Sequence, residues 1–458
     1  MKRPSIDTIT SLAKRRGFVY PSSDIYGGLA NTWDFGHYGT LLKKNIQEMW
    51  WRRFVTSRDD MVAIEASIFL HPKVWQASGH VENFTDSLID CKNCKLRTRA
   101  DHLIEDALPD KKVEGMSVSE LTQIIEENKL KCPKCGLSDF TAVRRFNLLF
   151  ETEMGIVEGD KSHIYLRGEL AQGIFINFKN VIDSMRVKIP FGIAQQGKAF
   201  RNEITLGQFT HRTIEFDLME FEYFIHPTQW EEVFTMWQQQ MWDFAKDLGI
   251  EEENLKWREH EGKELSHYSK RTADIEYQYP FGWKEMFGIA YRTDFDLANH
   301  MKSSGAKLEY TDPATNQKYV PHVIEPTFGL SRLLGIVMFE SYREEEVNGG
   351  TRIYMKLPYA VAPVKVAVFP LQKDEKLKAY AQTIYKHMKK SVSAEFDDSG
   401  NIGKMYRRQD EIGTPYCVTI DYQSLEDHTV TIRHRDTMKQ ERIDVGKIME
   451  YIESTANR

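Results

Sequence analysis

The most apolar stretch of the chain, Phe328–Phe339, is twelve residues long and carries an arginine, Arg332, near its start. A bilayer span needs about 20 apolar residues in a row, so this stretch belongs in the core of a globular domain, as a helix. Burying a guanidinium there is costly unless it meets a partner carboxylate or a ligand anion. On these residues alone both alternatives stay open. The rest of the chain fits a globular reading. Of 458 residues 41% are hydrophobic and 12% aromatic, too many for a disordered chain, and 28 Gly with 15 Pro are too few for a fibrous or linker protein. That length suits two or three domains. The start, Met1 to Asp7, lacks the apolar block and cleavage site of a secretory signal, so a cytoplasmic address and no membrane association are expected.

Organisation changes along the chain. A polar loop, Glu344–Gly350, and the stretch around Leu357–Ala360 mark a boundary. Beyond it, strand-like 364–370, helix-like 374–390 and 402–412, strand-like 416–420 and 429–434, and a closing helix from about Val445 alternate as in a small α/β domain. Before it, Leu42, Ile46, Met49 and Trp50 recur at helical spacing within 41–54, and Trp230–Leu248 reads as a docked, Trp-rich helix. Residues 173–178 and 215–224 read as strands. The second alternates acid and apolar at Glu220, Phe221, Glu222 and Tyr223, a period that fits one wet, acidic face.

Four of the five cysteines form two pairs, Cys91/Cys94 and Cys132/Cys135, with 37 residues between them. Two thiolates two residues apart bind one metal ion through a tight turn, and Zn²⁺ prefers four such ligands. A structural zinc site with a helical excursion at 117–129 follows. Free thiols, or disulfides that a reducing compartment would open, are the alternatives. Cys417, in an apolar strand, reads as core.

Three segments concentrate polar chemistry: Phe200–Ile204 followed by His211–Phe216; Ile324–Arg332; and Leu166–Phe175. In the first, two arginines with carboxylates nearby suit a clamp on a triphosphate; surface ion pairs are the bland alternative.

The phrases "FRNE", "PHVIEPTFGLSR" and a long helix ending at Pro72 resemble motifs 2, 3 and 1 of class II aminoacyl-tRNA synthetases. "FVYPSSDIYGGLANTWDFGHYG", "WQASGHVENFTD", "RADHLIED", "LRGELAQGIF", "SHYSKRTADIEYQYPFGWKEMFGIAYRTDFDL" and "YRRQDEIGTPYCVTID" narrow this: over nearly its whole length the chain resembles the dimeric glycyl-tRNA synthetases.

That resemblance implies an α/β fold: an antiparallel sheet flanked by helices over 1–90 and 141–357, an insertion at 91–140, and a mixed-sheet anticodon-binding domain over 358–458. It implies ATP with Mg²⁺, glycine and tRNA(Gly) as ligands, and a homodimer. Arg201 and Glu203 match the motif 2 pair, the arginine on the α-phosphate. Arg332 matches the arginine on the triphosphate tail, and Phe216 the ring that stacks on adenine. Asn202, His211, Arg212, Glu215, Met286 and Gly329 fall in the same ATP-binding segments, and Glu285 matches the acid associated with ATP and Mg²⁺. Glu169, Glu220 and Glu325 match acids lining the glycine pocket, joined by Arg99, Phe216, Arg292, Thr327 and Gly329 on the amino-acid side. The chain departs from the family pattern at Gly168 and Leu170 (usually Pro and Thr), Ile214 (usually Arg), Thr327 (usually Ser) and near Ser331.

The implied activity is glycine–tRNA ligation. A non-catalytic nucleic-acid-binding relative has no reason to keep Arg201, Glu203, Glu285 and Arg332 together. A synthetase for another amino acid would need a polar side-chain site or a catalytic zinc beside the substrate, whereas the cysteine pairs lie in an insertion. Net charge, −6, at first argues against a polyanion partner. The acid excess lies before Ala360, 52 acids against 45 bases, while 16 bases meet 15 acids after it. There, Tyr406-Arg407-Arg408 and Arg433-His434-Arg435 read as local basic patches for phosphate or anticodon bases, or as solvated surface charge.

Overall fold

The computed structural model describes residues 3–456 other than 112, 114, 158–160, 205–206, 263–264 and 348; Met1, Lys2 and Asn348 therefore lie outside the described residues. Helix α1, Ile6–Arg16, starts where the Ser5 hydroxyl accepts the Thr8 N–H and stops at Gly17, whose left-handed φ of 72° ends it. Helix α2, His37–Trp51, continues through one wide turn to Thr56. It does not reach Pro72. Strand β1, Met61–Ala63, intervenes, and Pro72 opens a separate short helix, where its missing N–H costs nothing.

A small three-stranded sheet follows, from β2, Thr85–Asp90, β3, Arg97–Arg99, and β4, Arg144–Asn147, with β2 central; helix α3, Val118–Glu127, packs beside it behind a Ser117/Glu120 capping box. Residues 173–178 are not a strand. Helix α4 spans Ala171–Phe175 and another helix begins at Phe178. All five residues of α4 are buried. Burial on every side removes the periodic contrast that separates helix from strand in a sequence.

The main sheet has seven strands: β1; β5, Phe191–Phe200; β6, Glu215–Ile225; β7, Leu255–Glu259; β8, Arg271–Tyr279; β9, Gly282–Thr293; and β10, His322–Gly329. Their spatial order is β7-β8-β9-β10-β6-β5-β1, antiparallel throughout except for the β5–β1 pair. Helix α5, Trp230–Asp247, and helix α6, Leu330–Ser341, pack with α2 against one face, where Met219, Phe221, Tyr223 and Phe328 meet Trp50, Phe54, Trp237 and Phe244. Residues Glu220 and Glu222 point to the opposite face, as alternation along a strand requires. That face is not wet: both glutamates are buried, under α4 and its flanking segments.

The expected polar loop at 344–350 is a hairpin of β11, Tyr342–Val347, and β12, Gly350–Met355. After it comes a mixed sheet of β13, Val366–Pro370, β14, Ala394–Phe396, β15, Tyr416–Ile420, β16, Thr429–His434, and β17, Gln440–Asp444. Its order is β14-β13-β15-β16-β17, parallel at the first three and antiparallel beyond. Helices α7, Glu375–Met388, and α9, Ile448–Ala456, cover one face, and α8, Ile402–Ile412, the other, leaving Cys417 in the core as expected. No described helix is long and apolar enough to cross a membrane.

The corner between α1 and α2 closes on backbone alone, because Gly39 faces the Phe18 carbonyl with no room for a Cβ. Gly39→Ala is expected to destabilise by about 1–3 kcal/mol, read as a lower urea midpoint; an unchanged midpoint would show that the corner gives way freely.

Candidate functional site

Strands β5 and β6 pair from Phe191↔Phe224 to Phe200↔Glu215, so residues 201–214 form a long connection at one end of the sheet. It is anchored at its root and its tip. The Arg201 N–H donates to the Ile214 carbonyl (2.9 Å) and the Asn202 N–H to the Leu148 carbonyl (2.8 Å). Thr210 rests on α6 at Gly335, where a Cβ would come within 2.5 Å of its hydroxyl.

The connection walls a cleft that brings together Arg201, Glu203, His211, Arg212, Phe216, Glu285, Thr327, Gly329 and Arg332, along with Asp217 and Ser331. The Arg201 guanidinium lies 5.0 Å from the Phe84 ring centroid and 5.4 Å from that of Phe216, and its Nε donates to the Gly168 carbonyl (3.1 Å). Among the described residues no carboxylate oxygen lies within 4.0 Å of it. The arginine is held by rings and one carbonyl, with its charge left for a ligand. Gly168 contributes by lacking a side chain: a Cβ there would meet Phe84 at 3.0 Å. Arg332 Nη1 pairs with Glu285 Oε1 (2.8 Å), and its Nε reaches the His211 carbonyl (3.4 Å). Burial would raise the Glu285 carboxyl, but Arg332 outweighs it and holds the group below its ordinary range. Burial, with Arg332 and Arg212 nearby, pushes the His211 imidazole well down, so it stays neutral. Lys43 reaches Asp217 Oδ2 (2.7 Å) from α2.

Besides the residues of the acid cluster described below, four expected residues do not line this cleft. Asn202 contributes its backbone N–H to Leu148; Glu215 pairs with Lys198; and the Met286 side chain is buried in the core beneath the sheet. Arg99 sits in a neighbouring polar pocket, 3.0 Å from Asp86 Oδ2 and bonded to Asp101.

Beside the cleft, under the same sheet face, lies a buried charge cluster centred on Arg292. Its Nε and Nη2 fork onto Asp296 (2.8 and 2.9 Å), Nη1 meets Glu325 Oε1 (2.8 Å), Nη2 approaches Glu169 Oε1 (3.6 Å), and Tyr268 stacks 3.7 Å from the guanidinium carbon. Gln172 bridges Glu169 and Asp296 (2.9 and 2.8 Å), and His80 Nε2 meets Glu169 Oε2 (3.2 Å). Glu220 and Glu222 complete the group. Carboxylate oxygens of Glu220, Glu222 and Glu325 lie within 4.8 Å of one another, and one oxygen of Glu220 with both of Glu222 have no hydrogen-bond partner among the described residues. Five buried carboxyls thus surround one guanidinium. Burial raises Glu220 and Glu222 well above their usual range, the Glu325 carboxylate adding to it, and carries Glu325 itself up to about 7, Arg292 pulling against it. Glu169 goes the other way: His80 and Arg292 overcome its burial and hold it well below the ordinary range. A pocket so composed is short of positive charge.

The pattern of matched acids did not include Glu222, His80, Gln172, Asp296 or Tyr268. Glu222 was within reach, since it shares a strand face with Glu220.

At the other end of β2, the four cysteine sulfurs lie within 4.8 Å of one another, with Cys91–Cys135 and Cys94–Cys132 at 3.6 Å. A disulfide holds its sulfurs about 2 Å apart, whereas ligands about 2.3 Å from one tetrahedral zinc are about 3.8 Å apart. The spacing fits the metal. The Leu137 N–H holds the Cys135 thiol down to about 6; at Cys94 the Leu96 N–H acts likewise, but burial and the neighbouring sulfurs win and the thiol rises to about 11.

A family model described as an anticodon binding domain matches residues 365–455. The chain is 52% identical over 453 residues to a glycine–tRNA ligase of Caldanaerobacter subterraneus subsp. tengcongensis, covering 98% of each chain. Glycine–tRNA ligases of Clostridium kluyveri and Geobacillus thermodenitrificans are 51% and 50% identical over 454 residues, covering 98% of this chain and 98% and 97% of theirs.

Arg292→Met leaves the buried carboxyls without their cation and should cost about 3–5 kcal/mol at neutral pH, read as a lower denaturant midpoint. The deficit should grow as pH rises above about 7, where wild-type Glu325 ionises against Arg292 and the variant has no cation to hold that charge, and shrink on acidification; a deficit that grows on acidification would refute this charge balance.

Proposed function

The chain belongs to the glycine–tRNA ligases, an enzyme family, and from that premise we propose that the arginine-lined cleft and the acidic pocket beside it bind ATP and glycine for ligation to the 3′ end of tRNA(Gly). One observation supports the reading: a cluster of five buried carboxyls around one guanidinium lies beside a cleft whose Arg201 has no acid partner among the described residues. The first calls for a cation and the second for an anion. A glycine ammonium set among Glu169, Glu220, Glu222 and Glu325 directs its carboxylate toward Arg201 and the α-phosphorus of ATP.

In the first step a glycine carboxylate oxygen attacks that phosphorus, the O–P bond forms and pyrophosphate leaves. In the second a ribose hydroxyl of tRNA attacks the glycyl carbonyl carbon, and AMP leaves with the electrons of the broken C–O bond. The protein supplies no nucleophile. Arg201 and Arg332 neutralise charge that develops on the phosphates, at fixed positions that need no reorganisation. Phe216, against which Arg201 already lies, offers a flat face to adenine, and Arg212, 3.9 Å from Glu203, closes the loop side. Glu285, on the rim, is the carboxylate placed to hold Mg²⁺, which would screen the triphosphate. Selectivity for glycine follows from a pocket filled by carboxyls, leaving no apolar space for a side chain; one methyl in a mere apolar slot would be worth only about 1–3 kcal/mol.

The four cysteines hold a structural zinc that ties the β2–β3 turn to the 132–135 segment between α3 and β4. Ile25 and Tyr26, 88% and 87% exposed on a turn near α2, supply an apolar surface for a second copy. Residues 365–455 contact tRNA, and the reaction runs in the cytoplasm.

Glycine, and not alanine or serine, is expected to drive ATP–pyrophosphate exchange, and Arg332→Ala to abolish it while tRNA binding persists. Exchange driven by another amino acid, or retained by the variant, would overturn these assignments. Metal analysis should find about one zinc per chain, and Cys91→Ser should remove it and lower the melting temperature; undegraded protein with no zinc would discard the four-cysteine site.

A further inference from the structure

The arginines at 433 and 435 are not surface charge. Asp410, 2% exposed, is held by two guanidinia: Arg433 through Nη1–Oδ1 (2.9 Å) and Nη2–Oδ2 (3.1 Å), and Arg352 through Nε–Oδ2 (2.8 Å). Arg433 belongs to the C-terminal sheet itself, but Arg352 reaches over from β12, and its Nη2 donates to the Arg435 carbonyl (2.7 Å). The residues on either side of Asp410 are gripped as well. Glu411 accepts from Arg16 Nε of α1 (2.6 Å). Gln409 donates to one oxygen of Glu395 (2.9 Å), whose other oxygen accepts from the Tyr38 hydroxyl of α2 (2.7 Å). Three consecutive residues at the end of α8 thus receive three separate elements of the N-terminal part of the chain.

Two of those elements lead to the cleft. Helix α2 carries Lys43, paired with Asp217 on the cleft wall. Hairpin β11–β12 continues directly from α6, whose first turn carries Arg332. We infer that the 409–411 turn is a clasp holding the C-terminal domain in register with the cleft, and that Arg352 and Asp410 are positioning residues for tRNA charging. The inference rests on the reading that this chain charges tRNA. An apolar contact tolerates sliding, whereas a forked, buried ion pair is satisfied in one geometry and penalised elsewhere. Adenylate formation uses only the cleft and its neighbouring pocket. Transfer requires a tRNA bound at the C-terminal domain to deliver its 3′ end to the cleft, so it alone feels a change in the angle between the two.

Arg352→Met separates these roles, because the C-terminal domain keeps its own Asp410–Arg433 pair. In full-length protein, glycine-dependent pyrophosphate exchange is expected to stay at the wild-type level, while kcat/KM for tRNA(Gly) in aminoacylation falls about ten- to a hundredfold. Arg352→Lys, which keeps the charge but loses the fork, should recover part of the loss. Aminoacylation unchanged in Arg352→Met, or exchange and aminoacylation falling together, would overturn the inference. If Arg352→Met does not fold, the double variant Tyr38→Phe/Glu411→Leu cuts the other two contacts at half-buried positions; the same split sustains the clasp, and an equal loss or no loss removes it. Absence of glycine-dependent exchange in the wild type would instead strike the functional reading itself.

Discussion

Arg292 is the interaction on which the rest of the site depends. Its guanidinium is wholly buried and compensates Asp296, Glu325 and part of Glu169 in one plane. A lysine in its place would be a single point of charge and would leave at least one of those carboxylates without a partner. The remaining deficit is what gives the pocket its chemistry. Glu220 and Glu222 stay raised, because burial and the neighbouring Glu325 carboxylate leave them short of positive charge. Stability and recognition therefore draw on one charge balance: the fold tolerates the acids because most are neutral or paired when the pocket is empty.

The antiparallel sheet converts this balance into a two-part site. Along β10, Glu325 and Thr327 face the pocket side, and two residues farther on Gly329 hands the chain to α6, which presents Arg332 to the cleft. Register places Thr327 opposite Glu220 on β6, and β6 itself starts at the end of the loop that carries Arg201. One pair of neighbouring strands thus fixes the separation between the buried acids and the arginines of the cleft. The strands need few loops to hold that spacing, and the long 201–214 connection is pinned at Gly335 and Leu148.

Much of this was legible in the residues. The matched acids and arginines converge, and the alternation beyond Ala360 was clear because its helices bury one face each while its two central strands, buried on both faces, read as short apolar runs between them. Legibility failed where a short, fully buried helix looks like a strand or where charges were consumed internally. Ala171–Phe175 has no exposed side to reveal its helical period. Glu220 and Glu222 alternate with aromatics as an exposed face would, and nothing local tells an acid facing water from one facing a buried arginine 70 residues away. Arg99 carries a matched position, yet Asp86 and Asp101 claim it in a different pocket.

The same consumption of charge explains why the net −6 says so little about partners. Part of the acidic excess is buried around Arg292, where it is withdrawn from water and largely paired or raised toward its neutral form. In the C-terminal domain, Arg433 and Arg435 are buried on Asp410 and Asp436, and Arg408 is tied to Asp397, so most of the two basic runs is already spent. Arg407 remains exposed on α8, on the helix whose last turn the N-terminal elements grip. A polyanion approaching this domain therefore meets a helix that is anchored at one end to the catalytic body. Attraction in such an arrangement is a matter of a few exposed cations on a rigid frame, and the frame, more than the total charge, determines where a bound nucleic acid can lie.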